Sequence, residues 1–337
     1  CVEQMNETRE FCSKVSITAY PALELGGVIW TYMGPAEKQP VPPNYAWTQV
    51  PEDQRFASKV LEECNWLQAL EVGIDPAHAS FLHRFLEDED PKDSYRKQSR
   101  DSAADTIDPM TKLLRDYPRP EIRVEETDFG LKLTALRHME NGLTHVRVTN
   151  QIFPEAICIP MSREMTITQW HVPIDDENCY WYSMFTSFDK PVNKDLMREQ
   201  RLKEHRLPDY APLKNKRNDY GYDPEEQARE TYTGMGLDIN VHDQWAVESM
   251  GPIQDRTDEH LGKTDVGIIR YRRMLRAAMD ALEKGEEEAL PMRGAVDPST
   301  LKGPLSNDAI ADSADWDAAS LRADAERRDA CPWDAGL

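Results

Sequence analysis

The order of apolar and polar positions divides the chain into a β-rich start, a helix-prone segment, a long β meander and a helical finish. Phe11 to Pro21 alternates, and Gly26-Gly27-Val28-Ile29-Trp30-Thr31-Tyr32-Met33 is β-branched and aromatic between glycines. Residues 1–48 therefore read as short strands of a small β domain. Two strands enclose little core, so this stretch is expected to be the C-terminal edge of a larger β unit. Lys38-Gln39-Pro40-Val41-Pro42-Pro43 reads as a linker. From Phe56 to Phe85 the apolar spacing is helical, with Asp75-Pro76 offering a cap and a first-turn proline. Residues 86–120 are polar and broken by proline, the pattern of a long loop.

Hairpins follow. Ile122 to Glu125 and Gly130 to Leu136 flank Thr127-Asp128, and Asn141-Gly142 turns the chain into Thr144 to Thr149. Met165 to Val172 and Cys179 to Phe185 flank the polar turn Asp175 to Asn178, completing a meandering antiparallel sheet. Thr264 is placed to cap a last helix reaching about Lys284, with Ile268, Leu275, Met279 and Leu282 as its apolar stripe. Laid on the sheet, that stripe gives an α+β fold. The expected division is a β remnant over 1–48, a main domain over 49–285, and an acidic tail over 286–337. The tail's composition predicts disorder, with a short helix near Ala318 to Arg327.

Charge narrows the partners. With 40 Lys and Arg against 61 Asp and Glu, the net charge is −21, which argues against nucleic acid and anionic membranes. No apolar run is long enough to span a bilayer and no signal peptide is visible. Six scattered cysteines without a CxxC pair suit reduced thiols in a cytoplasm, which is the expected location. The first residue is Cys1 and not Met, so the sequence is expected to be part of a longer chain.

The chemistry concentrates in the stretch from Asn65 to His83, where two histidines and two carboxylates interrupt an apolar run. Such groups are costly to bury unless paired or bound. Asp75, His78 and His83 are spaced D-x2-H-x4-H. Residues five apart on a regular helix diverge by about 140°, so the histidines converge only if the helix widens or if His83 lies beyond its end. Asp75, one turn before His78, is placed to hold one ring nitrogen and leave the other for a metal. A third ligand is sought in Leu237 to Ile253, where Asp243 opens an expected helix. Taken alone Asp243 reads as a helix cap. Joined to two histidines it completes a set that leaves open positions on iron(II), suited to activating oxygen. His242 is a rival ligand, but adjacent side chains point apart, so it is expected to be exposed or hydrogen-bonded.

Asn65 to Glu71 with Asp75, His78 and Leu82-His83, and later Asp243-Gln244 with Glu248 to Ile253 and Asp255 to Gly262, resemble Rieske-type aromatic ring-hydroxylating oxygenases. The similarity is to the large (α) subunit of the phthalate 4,5-dioxygenase branch, over about residues 10–285. Ala19-Tyr20-Pro21 and Gly26 to Pro35 resemble the end of that branch's Rieske domain. The resemblance implies a helix-grip catalytic domain, an antiparallel sheet around a long C-terminal helix. It implies His78, His83 and Asp243 as the iron(II) ligands, and Asp75 as a bridge to a cluster ligand of the next subunit in a homotrimer. It also implies O2 and a small aromatic substrate, with NAD(P)H electrons delivered by a reductase through a [2Fe-2S] Rieske cluster, for hydroxylation or O-demethylation. The cluster pattern CxH…CxxH does not occur in this sequence, so the cluster is expected in an N-terminal segment outside it. Arg147 stands where that branch places an arginine near substrate, and a bidentate guanidinium suits an aromatic carboxylate. Asp255-Arg256 and His260 are expected to form a structural network. Trp66, Trp170, Trp181 and Trp245 read as core, one of them a candidate for the pocket wall. The competing class is a helix-grip module that holds an apolar ligand without redox chemistry.

Overall fold

The computed structural model describes residues 9–86, 110–161, 164–291 and 306–333, with single positions 5, 297, 304 and 335. The chain starts with a short helix α1 (Arg9–Lys14) and a hairpin of β1 (Ala22–Leu25) and β2 (Val28–Thr31). The strand expected from Phe11 to Pro21 does not form: among the described residues its alternation meets no partner strand, and pairing begins at Ala22. The hairpin turn is Gly26-Gly27, with φ of 60° and 78°, a conformation that favours glycine at both positions.

After α2 (Ala46–Gln49) comes β3 (Arg55–Glu62), where the sequence pattern suggested helix. The correction has a plain cause. All eight residues of β3 pair with the last of the hairpin strands, so a distant ladder overrides the local spacing. Helix α3 (Trp66–Ile74) follows, then α4 (Met110–Asp116) within the expected loop, whose residues 87–109 lie outside the described residues.

The meander comprises β4 (Glu121–Thr127), β5 (Gly130–His138), β6 (Leu143–Ile152), β7 (Ala156–Pro160), β8 (Met165–Pro173) and β9 (Cys179–Ser187). With β3 they form an antiparallel sheet in the order β3-β9-β8-β7-β6-β5-β4. Helix α5 (Lys194–Glu204), the short pair β10 (His205–Arg206) and β11 (Ala211–Pro212), α6 (Pro224–Arg229) and α7 (Ile239–Glu248) lead to the long α8 (Val266–Lys284). The architecture is α+β, a large antiparallel sheet with a long helix near the C-terminal end.

Helices α3 and α8 pack on the sheet through Leu70, Ile74, Leu131, Leu133, Ile157, Ile268 and Tyr271. Gly267 makes this possible: a Cβ there would lie 2.8 Å from Leu133 Cδ2 and 3.3 Å from the Ile74 carbonyl. The buried stripe of α8 differs from the expected one. Ile268, Tyr271, Ala278 and Ala281 face in, whereas Met279 and Leu282 are 52% and 53% exposed. Small Ala side chains let the helix lie close, and the larger residues flank the contact. Thr264 is not the cap but sits in the 3-10 turn Lys263–Asp265, so the N-cap is Asp265.

The tail also departs from expectation. Strand β12 (Asp308–Asp312) pairs with Leu143 to Arg147 of β6, while β7 pairs with Asn150 to Ile152, so two short strands share one flank of β6. Helix α9 (Trp316–Asp329) covers the expected short helix and extends it. Polar anchors hold this segment: Asn307 Nδ2 donates to the Ser320 carbonyl (2.7 Å), and Arg327 Nη1 to the Ser306 carbonyl (2.9 Å). An apolar-pattern reading misses such anchors.

Candidate metal centre

The site forms because α3 stops. Asp75 is its C-cap, leaving helical geometry at φ −85° and ψ 104°, and its Oδ1 accepts from the Ala77 amide at 2.8 Å. A 3-10 turn, His78–Ser80, follows, and His83 lies beyond it. Of the two routes by which the histidines could converge, the chain takes the second: the helix ends, and no π-bulge widens it.

Asp243 sits inside α7 rather than opening it. The cap is Asp238, whose side chain accepts from the Asn240 amide at 3.0 Å and is gripped by Arg201 at 3.0 Å. Helix α7 is fixed to α3 by Gln68, which donates to the carbonyls of Val247 (2.9 Å) and Gly251 (2.7 Å). Glu248 adds a second tie, accepting from the Glu63 amide at 2.8 Å and from Tyr220 at 2.6 Å. Buried hydrogen bonds of this kind set the distance between two helices better than apolar contact does.

The outcome is a convergence of His78, His83 and Asp243, whose ligand atoms lie within 4.8 Å of one another. Asp243 Oδ1 is 3.1 Å from His83 Nε2 and 3.7 Å from His78 Nε2. The two rings stand nearly perpendicular, at 86°. Metal bonds of about 2.1 Å meeting at 90–120° separate their donors by roughly 3.0–3.6 Å, so the spacing fits a metal ion. Asp243 Oδ1 is moreover buried without a well-formed hydrogen bond, a state that a cation would relieve. Burial pushes the Asp243 carboxyl up, but the imidazoles of His83, His78 and His242 outweigh it and hold it below its ordinary value. Burial likewise lowers His78, favouring the neutral form that ligates.

Asp75 holds His78 differently from the expectation. The His78 Nδ1–H donates to the Asp75 backbone carbonyl, and the carboxylate is spent on the Ala77 amide. The tautomer is fixed all the same, leaving Nε2 toward Asp243. Burial raises the Asp75 carboxyl. His242 is buried and hydrogen-bonded rather than exposed: its Nε2–H donates to the Gly236 carbonyl at 2.9 Å, and its ring stacks on His83. Burial pushes it down to about 4.

The centre opens into a cavity walled by apolar groups such as Ile159, Ile167 and Phe185, with Arg147, Gln169 and His171 among its polar edges. Arg147 is therefore in reach of a bound molecule, and its Nη1 donates to Asp308 Oδ2 at 2.8 Å. Sequence reasoning missed Asp308, Glu62 and His171. The first lay in an acidic tail, but a histidine inside the apolar strand Met165 to Val172 was a visible signal. Trp181 is the tryptophan of the pocket wall, and Trp170 is core. Arg256 joins a support beneath α3, with Glu71 accepting from Arg256 (3.1 Å) and from Arg272 (2.6 and 2.7 Å).

Residues 31–330 match the family described as LigXa C-terminal domain like. The oxygenase subunit of phthalate 4,5-dioxygenase from Pseudomonas putida is 32% identical over 317 residues, 87% of this chain and 68% of its own length. That of 3-chlorobenzoate-3,4-dioxygenase from Comamonas testosteroni is 29% identical, covering 81% of this chain and 64% of the relative. The oxygenase subunit of 5,5'-dehydrodivanillate O-demethylase from a Sphingobium species is 25% identical, covering 90% and 62%. The chain thus spans about two thirds of the length of these relatives. It belongs to the LigXa C-terminal domain like family of Rieske-type oxygenase subunits.

Proposed function

We propose that this chain carries the catalytic region of an oxygenase that hydroxylates or O-demethylates an aromatic, carboxylated substrate, using O2 and externally supplied electrons. The observation that carries the reading is the convergence of His78, His83 and Asp243 at the end of a largely apolar cavity. Those residues would hold iron(II), which when bound supplies oxygen activation at positions the protein leaves open. The chain's own residues do the rest. The Asp75 carbonyl orients His78, and Gln68 and Glu248 hold α7 so that Asp243 meets both rings. The apolar walls exclude water and seat an aromatic ring, and Arg147, steadied by Asp308, faces its carboxylate.

Electrons would come from a reductase through a [2Fe-2S] cluster held by a segment outside the 337-residue sequence, with 1–48 as the end of the cluster domain. In a homotrimer Asp75 would carry them across from the neighbouring subunit's cluster. The buried thiols of Cys64, Cys158 and Cys179, outside any disulfide, suit a cytoplasmic location. Among the described residues no helix is long and apolar enough to cross a membrane. The test is 18O2 incorporation into an aromatic acid by the complete oxygenase and its reductase. Asp75→Asn should retain iron yet slow product formation by a hundredfold or more. Labelled product at the normal rate from that variant would remove Asp75 from the electron route. Binding of aromatic acids with no oxidation under any reductant would favour the simple ligand-binding module.

A further inference from the structure

A second buried constellation borders the same cavity. His171 on β8 and Glu62 at the end of β3 are 2% and 1% exposed, and Glu62 Oε2 lies 3.1 Å from His171 Nδ1. Cys179, opposite Glu62 in the β3–β9 ladder, points its thiol at the same Oε2 from 3.5 Å. The His171 ring stacks on Trp181 at 5.7 Å and 22°. His171, Glu62 and Trp181 all line the cavity that holds His78, His83 and Asp243. None of this serves the metal centre.

The proton positions follow from the shared acceptor. Cys179, raised by its contact with the Cys64 thiol, by burial and by Glu62, stays a thiol and donates. Glu62 Oε2 lies between the thiol and the imidazole nitrogen, placed to accept a hydrogen bond from each. In the neutral ring with its proton on Nδ1 toward Glu62, Nε2 carries a lone pair. Among the described residues no donor reaches that nitrogen. The stack on Trp181 and the bond to Glu62 fix the ring, so the lone pair is a preorganised acceptor at the cavity wall.

We propose that His171, positioned by Glu62, is a subsite for a phenolic hydroxyl, so that the cavity selects aromatic rings bearing an O–H group at this pole. The inference rests on the cavity being the aromatic-binding site put forward above. A ring seated among Ile159, Ile167 and Phe185 shares the cavity with His171. A methyl ether at the same position has no proton to give and leaves the acceptor desolvated. A buried acceptor left without its donor costs about 1–3 kcal/mol, which is about fivefold to 150-fold in affinity.

The test is calorimetric titration of the intact chain with benzoate, 3-hydroxybenzoate and 3-methoxybenzoate. The wild type should bind the phenol at least about fivefold more tightly than the ether. In His171→Phe, which keeps a ring against Trp181, that preference should vanish while benzoate affinity stays within about twofold; Glu62→Gln should weaken the preference. The comparison of ligands on unaltered protein holds even if either variant misfolds. Equal affinity for phenol and ether in the wild type overturns the subsite and leaves the aromatic cavity standing. Failure of all three probes to bind overturns the cavity reading itself. Glu62, His171 and Cys179 also converge closely enough to chelate a cation. A metal ion retained by His83→Ala and lost from His83→Ala/His171→Phe would overturn the hydrogen-bonding role.

Discussion

Replacing Asp308 by Asn tests how far the tail shapes the cavity wall. Asp308 accepts from His145 at 2.6 Å and from Arg147 at 2.8 Å, with side-chain exposures of 12%, 0% and 13% for the three residues. The substitution keeps the shape but removes the carboxylate charge that the half-buried Arg147 guanidinium donates to. Breaking one side of a buried ion pair costs about 3–5 kcal/mol, and an Asn carbonyl that still accepts one bond brings the figure to about 3. For a domain of this class that is a fall in melting temperature of roughly 6–12 °C. The pH dependence has a definite sign. Burial pushes the Asp308 carboxyl up, but His145 and Arg147 outweigh it and hold it well below its ordinary 3.8. A carboxyl depressed in the folded state adds stability in full above its unfolded value and loses it as pH falls toward the folded one. The gap between wild type and Asp308→Asn in urea unfolding should thus be constant from pH 7 to about 4 and close below that. Arg147→Met added to Asp308→Asn should recover part of the loss, because the guanidinium that lost the Asp308 charge is removed with it. A gap below about 1 kcal/mol at pH 7, or one unchanged at pH 3, refutes the reasoning.

The remaining predictions concern the supports of the site. Glu71→Gln, which strips the carboxylate from Arg272 and Arg256, should lower unfolding stability by about 2–4 kcal/mol in urea titration; a change under about 0.5 would show the network to be solvent-screened. Gly267→Ala forces a methyl group toward Leu133 and the Ile74 carbonyl, and should cost about 1–3 kcal/mol by thermal melting unless α8 shifts freely. His242 is kept neutral in the fold at about 4 against 6.5 in the unfolded chain, so protons favour unfolding in between. Chelator-treated wild type should lose stability from about pH 6.5 to 4, and His242→Gln should lose less.

How much of this was legible depended on where the information sat. The hairpins around Asn141-Gly142 and Asp175 to Asn178 could be read because turn chemistry is local, and β6, β8 and β9 lie where those turns put them. Strand β3 was misread because its partner, β9, is more than a hundred residues away in the chain. The tail was misread for another reason. Asp308, Asn307 and Ser320 hold it by charge and hydrogen bonds, and composition cannot distinguish a paired carboxylate from a solvated one. At the centre, the spacing of His78 and His83 already limited the geometry to a widened helix or a helix end, and the structure supplies the end. Asp243 was singled out though its helix start was misplaced: Asp238, five residues earlier, is the cap, which frees Asp243 to face the histidines. His171 and Glu62 come together only through the β3-β9-β8 order, which no local pattern encodes.

The central claim is that His78, His83 and Asp243 form one iron site. Its most direct measurement is the iron content of anaerobically reconstituted chain after removal of excess metal. The account predicts one iron per wild-type chain, almost none in His78→Ala, His83→Ala or Asp243→Ala, and a full equivalent in His242→Ala, whose Nε2 is turned toward the Gly236 carbonyl. Wild-type iron content in the folded Asp243→Ala protein, or loss of iron in folded His242→Ala, would contradict it.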